Sequence, residues 1–311
     1  MKNNLLAFGL LLLGINCAVQ GQAYEIYVSD AGGFNVGNPP WRIYKFDENG
    51  ENGEIFIEEQ LAWPQDIVFL DHRNSLIVSN LNTNKITEYN AETGEFLGDF
   101  ATGIGGPTRM KIGPDGLLYV LQWRGDGKVL RYDLDGNLVG RFTDVEVSSS
   151  IGLDWDENGN LYVSSYGEGY VQQFSPAGES MGRFINSNLD GPTNIWFDEA
   201  GNLFVSDWNA GAVKKFDASG NFEEVFINGI GNVEGMAFLP DGNLLLGDGQ
   251  DGSVNLYDNE GNFIEELIPA GTLGLATPNA VILREVVMSS VRETPEPKAF
   301  IAPSVGKEFH L

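Results

Sequence analysis

Cysteine is almost missing from this chain: of 311 residues only Cys17 is one, and it lies inside an apolar N-terminal stretch. Downstream of that stretch neither a disulfide nor a thiol nucleophile is available. Histidine is nearly as scarce. His72 falls in a turn between strands and His310 stands beside the C-terminus, so imidazole offers no metal centre and no general base. Basic residues number 18 against 44 acidic ones, for a net charge of −26. Phosphate backbones and anionic membranes need clustered Lys and Arg, so this imbalance excludes nucleic acid as a partner. The apolar run Leu5–Ile15 is too short to cross a bilayer, and the repeat region shows no sustained 3.6-residue apolar period.

What is abundant is repetition. An aromatic residue returns six times, as Phe46, Tyr89, Tyr132, Phe174, Phe216 and Tyr257, at intervals of 43, 43, 42, 42 and 41 residues. Such a period belongs to propellers and other arrays, in which one supersecondary unit cannot bury its own face and needs its neighbours. The clearest unit comprises Gly191–Asp198, Gly201–Asp207, Ala212–Asp217 and Phe222–Phe226. These short runs, rich in Val, Ile, Phe and Tyr and punctuated by Gly, Asn and Asp, read as antiparallel strands, and four strands make one blade. Runs of the type Asp-x-x-Gly-Asn begin at Asp133, Asp156, Asp198, Asp217 and Asp258 and look superficially like calcium loops. They lack the downstream bidentate glutamate of an EF-hand and read as turns.

Complete units occupy about 63–100, 106–142, 150–184, 191–226 and 232–267, whereas the stretch from Tyr24 begins at a second strand. Its missing opening strand lies at the other end, in Thr277–Leu283. The expected fold is all-β: a six-bladed β-propeller of four-stranded antiparallel blades over 24–284, its first blade closed by the C-terminal strand. The unit resembles the NHL repeat through Gly106-Pro107, Gly191-Pro192, Leu161-Tyr162-Val163-Ser164 and Leu203-Phe204-Val205-Ser206-Asp207. The resemblance covers nearly all of 24–284 and implies a fold rather than an activity. Where the NHL pattern has a small residue at its third position, three units carry Asp66, Arg109 and Asn194.

Lys2, the apolar Leu5–Ile15 and the exit Gly21-Gln22-Ala23 give residues 1–23 the pattern of a signal peptide. A secreted, periplasmic or cell-envelope location is the expectation, with no transmembrane segment in the mature chain. Gly14-Ile15-Asn16-Cys17 departs from a lipobox at two positions. Residues 285–311 read as a tail, either disordered or a partial sorting segment.

Aligning the units on Pro192 and Gly201-Asn202 puts Gln65, Thr108, Ile151, Thr193, Glu234 and Asn279 in a ring at the mouth of the central channel. Glu234 and Asn279, with Gln65, resemble the calcium ligands of propellers similar to SMP-30 and gluconolactonases. That resemblance implies Ca²⁺ in the channel and a calcium-dependent lactonase or esterase. Ile151 and the two threonines interrupt the pattern, and a polar, water-filled channel is the competing reading. Enzymes similar to peptidyl-α-hydroxyglycine lyases, paraoxonases and streptogramin lyases need histidines that no channel position supplies. Trp123, Tyr166 and Trp208 recur on the loops between second and third strands of three successive blades, with Trp63, Arg109 and Arg124 nearby. Either these groups form a shelf for a sugar ring or peptide, with the arginines meeting a carboxylate, or the rings pack between blades. The Gly/Asn/Pro-rich loop Ala31–Pro40 stands over the same face as a flap. The expected function is a monomeric binding or scaffold module for an extracellular or periplasmic protein, peptide or glycan; the calcium-dependent hydrolase is the alternative.

Overall fold

Each repeat unit folds as its composition requires: β-branched and aromatic stretches pair into a sheet, and the Asp/Asn/Gly clusters between them turn the chain. The computed structural model describes residues 24–33 and 39–286, and within them 24 strands form six four-stranded antiparallel sheets. The leader 1–23, the tail beyond 286 and the middle of the Ala31–Pro40 loop lie outside the described residues, and with them the signal-peptide, sorting and flap expectations.

Five sheets are consecutive in sequence: blade 2, β4–β7 (64–102); blade 3, β8–β11 (107–141); blade 4, β12–β15 (150–185); blade 5, β16–β19 (192–228); and blade 6, β20–β23 (236–268). Blade 1 joins β1 (Tyr24–Asp30), β2 (Arg42–Phe46) and β3 (Glu54–Ile57) to the far strand β24 (Pro278–Glu285). Ile26 lies opposite Leu283 and Val28 opposite Val281 in that seam. The six-bladed propeller closed by its C-terminal strand is therefore the observed fold. Strands β4, β8, β12, β16, β20 and β24 stand innermost, around the channel.

The core sits between blades rather than within them. Each of the six junctions holds its own buried apolar cluster, and the periodic aromatics are distributed one to each. Tyr132 of blade 3, for example, packs with Leu70, Ile77 and Ile86 of blade 2. Phe216 of blade 5 packs with Tyr162 and Val171 of blade 4. A ring of this size, buried on its neighbour's face, contributes a few kcal/mol that the isolated blade would forfeit. The turn reading of the acidic runs holds as well. Asp133 accepts bonds from the Asp135 and Asn137 amides at 3.0 and 2.8 Å and from Asn137 Nδ2 at 2.9 Å. Asp156, Asp198, Asp217 and Asp258 repeat the pattern.

Candidate functional site

Serine and threonine around the channel hold one blade to the next. Ser79 Oγ donates to Thr108 O at 2.6 Å and Ser164 Oγ to Thr193 O at 2.7 Å, in each case across a blade junction. Thr108 Oγ1 continues to Ser150 O at 2.8 Å, and Thr193 Oγ1 to Val233 O at 2.8 Å. The residue at the end of the second strand, or in blade 6 the one just after it, has a matching task in several blades. Asn80, Gln122, Asp207 and Asp248 each accept an amide N–H from the loop that leads into their own blade's innermost strand. These braces tie the loops entering the channel, Trp63's among them, to the strand ends next to Trp123 and Trp208.

Three of the six channel positions remain for chemistry, and Arg109 reaches them. Its guanidinium, 7% exposed as a residue, crosses from blade 3 to three other blades. Nη1 donates to Gln65 O at 3.2 Å and Asp66 Oδ1 at 3.3 Å; Nη2 donates to Glu234 Oε1 and to Asn279 O, both at 3.3 Å. Asp66 is held further by the Met110 and Ile67 amides. A buried cation needs counter-charge, and Asp66 and Glu234 supply it from opposite sides. Burial pushes the Glu234 carboxyl up to about 7; Arg109 offsets part of that rise and Asp66 adds to it. Desolvation likewise raises Asp66, against the pull of Arg109.

Above this plug lies a cavity of about 420 Å³ that gathers all but Arg109 of the candidate ligand- and metal-binding residues. Trp63 of the loop into blade 2, Trp123 of blade 3, Tyr166 of blade 4 and Trp208 of blade 5 line it together with Arg124. Gln65, Ile151, Glu234 and Asn279 complete the lining toward the channel, and Gly32 and Gly33 contribute from blade 1. Arg109 is the exception, lying beneath the lining and holding it. The rings are half-buried, and Trp123 and Tyr166 approach at 5.6 Å between centroids, so packing and cavity lining are both served. Tyr166 donates to Asn209 Oδ1 at 3.2 Å, and the exposed Arg124 reaches Leu81 O at 3.1 Å. Trp63 has a left-handed backbone, φ 56°, which costs a bulky side chain about 1–3 kcal/mol and places its indole at the cavity.

Two polar atoms of this lining, Asn279 Oδ1 and Trp63 Nε1, are buried without a hydrogen-bond partner among the described residues. Buried polar groups in native proteins are ordinarily satisfied, so atoms of this kind belong to a ligand or to ordered water.

The same geometry bears on calcium. A hard cation would be held by Glu234, Asn279 and Gln65, yet the Arg109 guanidinium already sits on Glu234 Oε1 and on the Asn279 carbonyl. The hydroxyls of Thr108 and Thr193 are engaged between blades, and Ile151 offers no donor. Among the described residues no cluster of three His, Cys, Asp or Glu side chains converges. These donors do not fit a Ca²⁺ site while Arg109 holds its place. The bridging role of Arg109 is the feature that residue-by-residue reading missed. Its only trace in sequence is the set of departures at the third repeat position, Asp66, Arg109 and Asn194.

No family model matches this chain, and no curated protein matches it in sequence. Solved structures do. A chain of a nidogen–laminin complex is 14% identical, with a TM-score of 0.67 over 84% of this chain and 98% of that one. A protein of unknown function from Bacteroides caccae is also 14% identical, with a TM-score of 0.64 over the same shares. A gluconolactonase from Xanthomonas campestris is 18% identical, with a TM-score of 0.56 over 66% of this chain and 76% of that one. At these identities the likeness shows the fold alone: this chain is built as a β-propeller, on a scaffold shared by proteins of unlike function.

Proposed function

We propose that this protein is an exported NHL-type propeller that binds a ligand in the aromatic-walled cavity at one end of its channel. The observation that carries the reading is the pairing of four aromatic side chains, from loops of four blades, with the buried Asn279 Oδ1 and Trp63 Nε1, which have no partner among the described residues. Aromatic walls supply contact area at low entropic cost, and a few oriented polar groups supply orientation. The leader-like pattern of residues 1–23 supports export. The ligand is a compact group on a small molecule, glycan or peptide, since about 420 Å³ admits no folded partner.

The test is a screen of sugars, peptides and small charged molecules by tryptophan fluorescence and thermal shift, beside Trp123→Ala and Trp208→Ala. The expected hit shifts the fluorescence, raises Tm, and binds at least about tenfold more weakly to either variant. A hit indifferent to both substitutions would place binding elsewhere. Calcium added alone is expected to leave Tm unchanged, because Arg109 occupies the position of the cation. A calcium-dependent rise in Tm that disappears in Glu234→Gln would instead favour the lactonase-type alternative.

A further inference from the structure

The charges around the cavity select among those ligands. Glu234, 4% exposed, lines it with Oε1 on the Arg109 guanidinium. The charged and titratable groups that bear on this carboxylate are few. Arg109 and Asp66 flank it beneath the lining, Tyr166 lies within its electrostatic reach, and Arg124 stands exposed at the rim, tied to Leu81 O. Asp66, Arg109 and an ionised Glu234 at the floor of the cavity together carry one net negative charge, which the exposed Arg124 in the lining balances at the rim. Around that charge stand Trp63, Trp123, Tyr166 and Trp208. The face of an aromatic ring is the negative side of its quadrupole, so a cation held against such a face and the carboxylate is favoured by both. An anionic head would meet Glu234 directly, whereas the net charge of −26 draws cations toward the molecule.

From this juxtaposition we propose that the cavity is an aromatic cage for an organic cation, a methylated ammonium whose head lies among the four rings with its charge against Glu234. The inference rests on the cavity being the ligand site. Methyl groups on nitrogen spread the charge over an apolar shell, which suits indole walls better than a strongly hydrated primary ammonium. Asn279 and Gln65 are placed to accept from any hydroxyl or amide carried beside the head. A proton is linked to the event. Because burial pushes the Glu234 carboxyl up to about 7, a bound cation favours its ionised form and displaces the proton. Affinity therefore rises with pH up to about 7 and flattens above it, falling about tenfold for each unit below.

Calorimetry with choline, tetramethylammonium and the neutral tert-butyl isostere of choline separates this inference from the broader one. Choline is expected to bind saturably, the isostere at least about tenfold more weakly, and Glu234→Gln to lose about tenfold in choline affinity. Trp123→Ala is expected to weaken it as well and provides a second readout if the Glu234 variant fails to fold. An isostere that binds as well as choline would overturn the cation inference and leave the cavity as a ligand site. So would failure of both cations when other molecules in the screen bind there. Failure of every ligand, charged or neutral, would overturn both readings.

Discussion

Arg109 and Glu234 set opposite demands on a single proton. The ordinary glutamate value of 4.5 applies to the unfolded chain, whereas the buried carboxyl titrates at about 7. Below 4.5 the group is protonated in both states. As pH rises from there to about 7 the unfolded chain releases its proton first, and the stability this group contributes is lost; above 7 the loss is complete. Glutamine cannot titrate, so Glu234→Gln is expected to gain on the wild type across that window. The gain is about 3 kcal/mol, read from urea denaturation at a series of pH values. Arg109→Met works in the other direction. Leaving Asp66 and Glu234 buried without their cation is expected to cost about 3–5 kcal/mol at neutral pH, and less in acid, where Glu234 is already neutral.

At the level of strands and loops, the blade junctions and the binding face separate cleanly. Thr193 belongs to the junctions: its hydroxyl donates to Val233 O and contacts Ser206 O inside the ring. Thr193→Val keeps the shape and leaves a carbonyl without its donor, so a loss of about 1–2 kcal/mol in urea denaturation is expected, with ligand affinity unchanged. Gly152 shows how close the innermost strands run, since a Cβ there would stand 2.1 Å from Thr193 O. What could be read from sequence follows the same division. The strands and turns recur at nearly equal offsets in every unit and the aromatic loop residue in three of them, so Trp123, Tyr166 and Trp208 fall on one face by repetition alone. The bonds from Arg109 to Glu234 and Asn279 span 125 and 170 residues and occur once. They depend on curvature around the channel, which no single unit encodes, and so the bridge by Arg109 was not legible there.

For the whole molecule, the seam between β1 and β24 decides whether the ring exists. Ending the chain after Thr277 removes the innermost strand of blade 1, exposes Ile26 and Val28, and takes away the Asn279 carbonyl that Arg109 uses. The expected product is an aggregating chain with no cooperative thermal transition, whereas ending it after Glu285 retains both, as circular dichroism and gel filtration would report. Every other blade is assembled from neighbouring residues and has no such dependence. Ile26 is among the first residues of the ring to be synthesised and Leu283 among the last, and they face each other. The seam thereby acts as a check on completeness: an interrupted chain is left with unpaired strand edges open to proteases, and only a finished one can hide them.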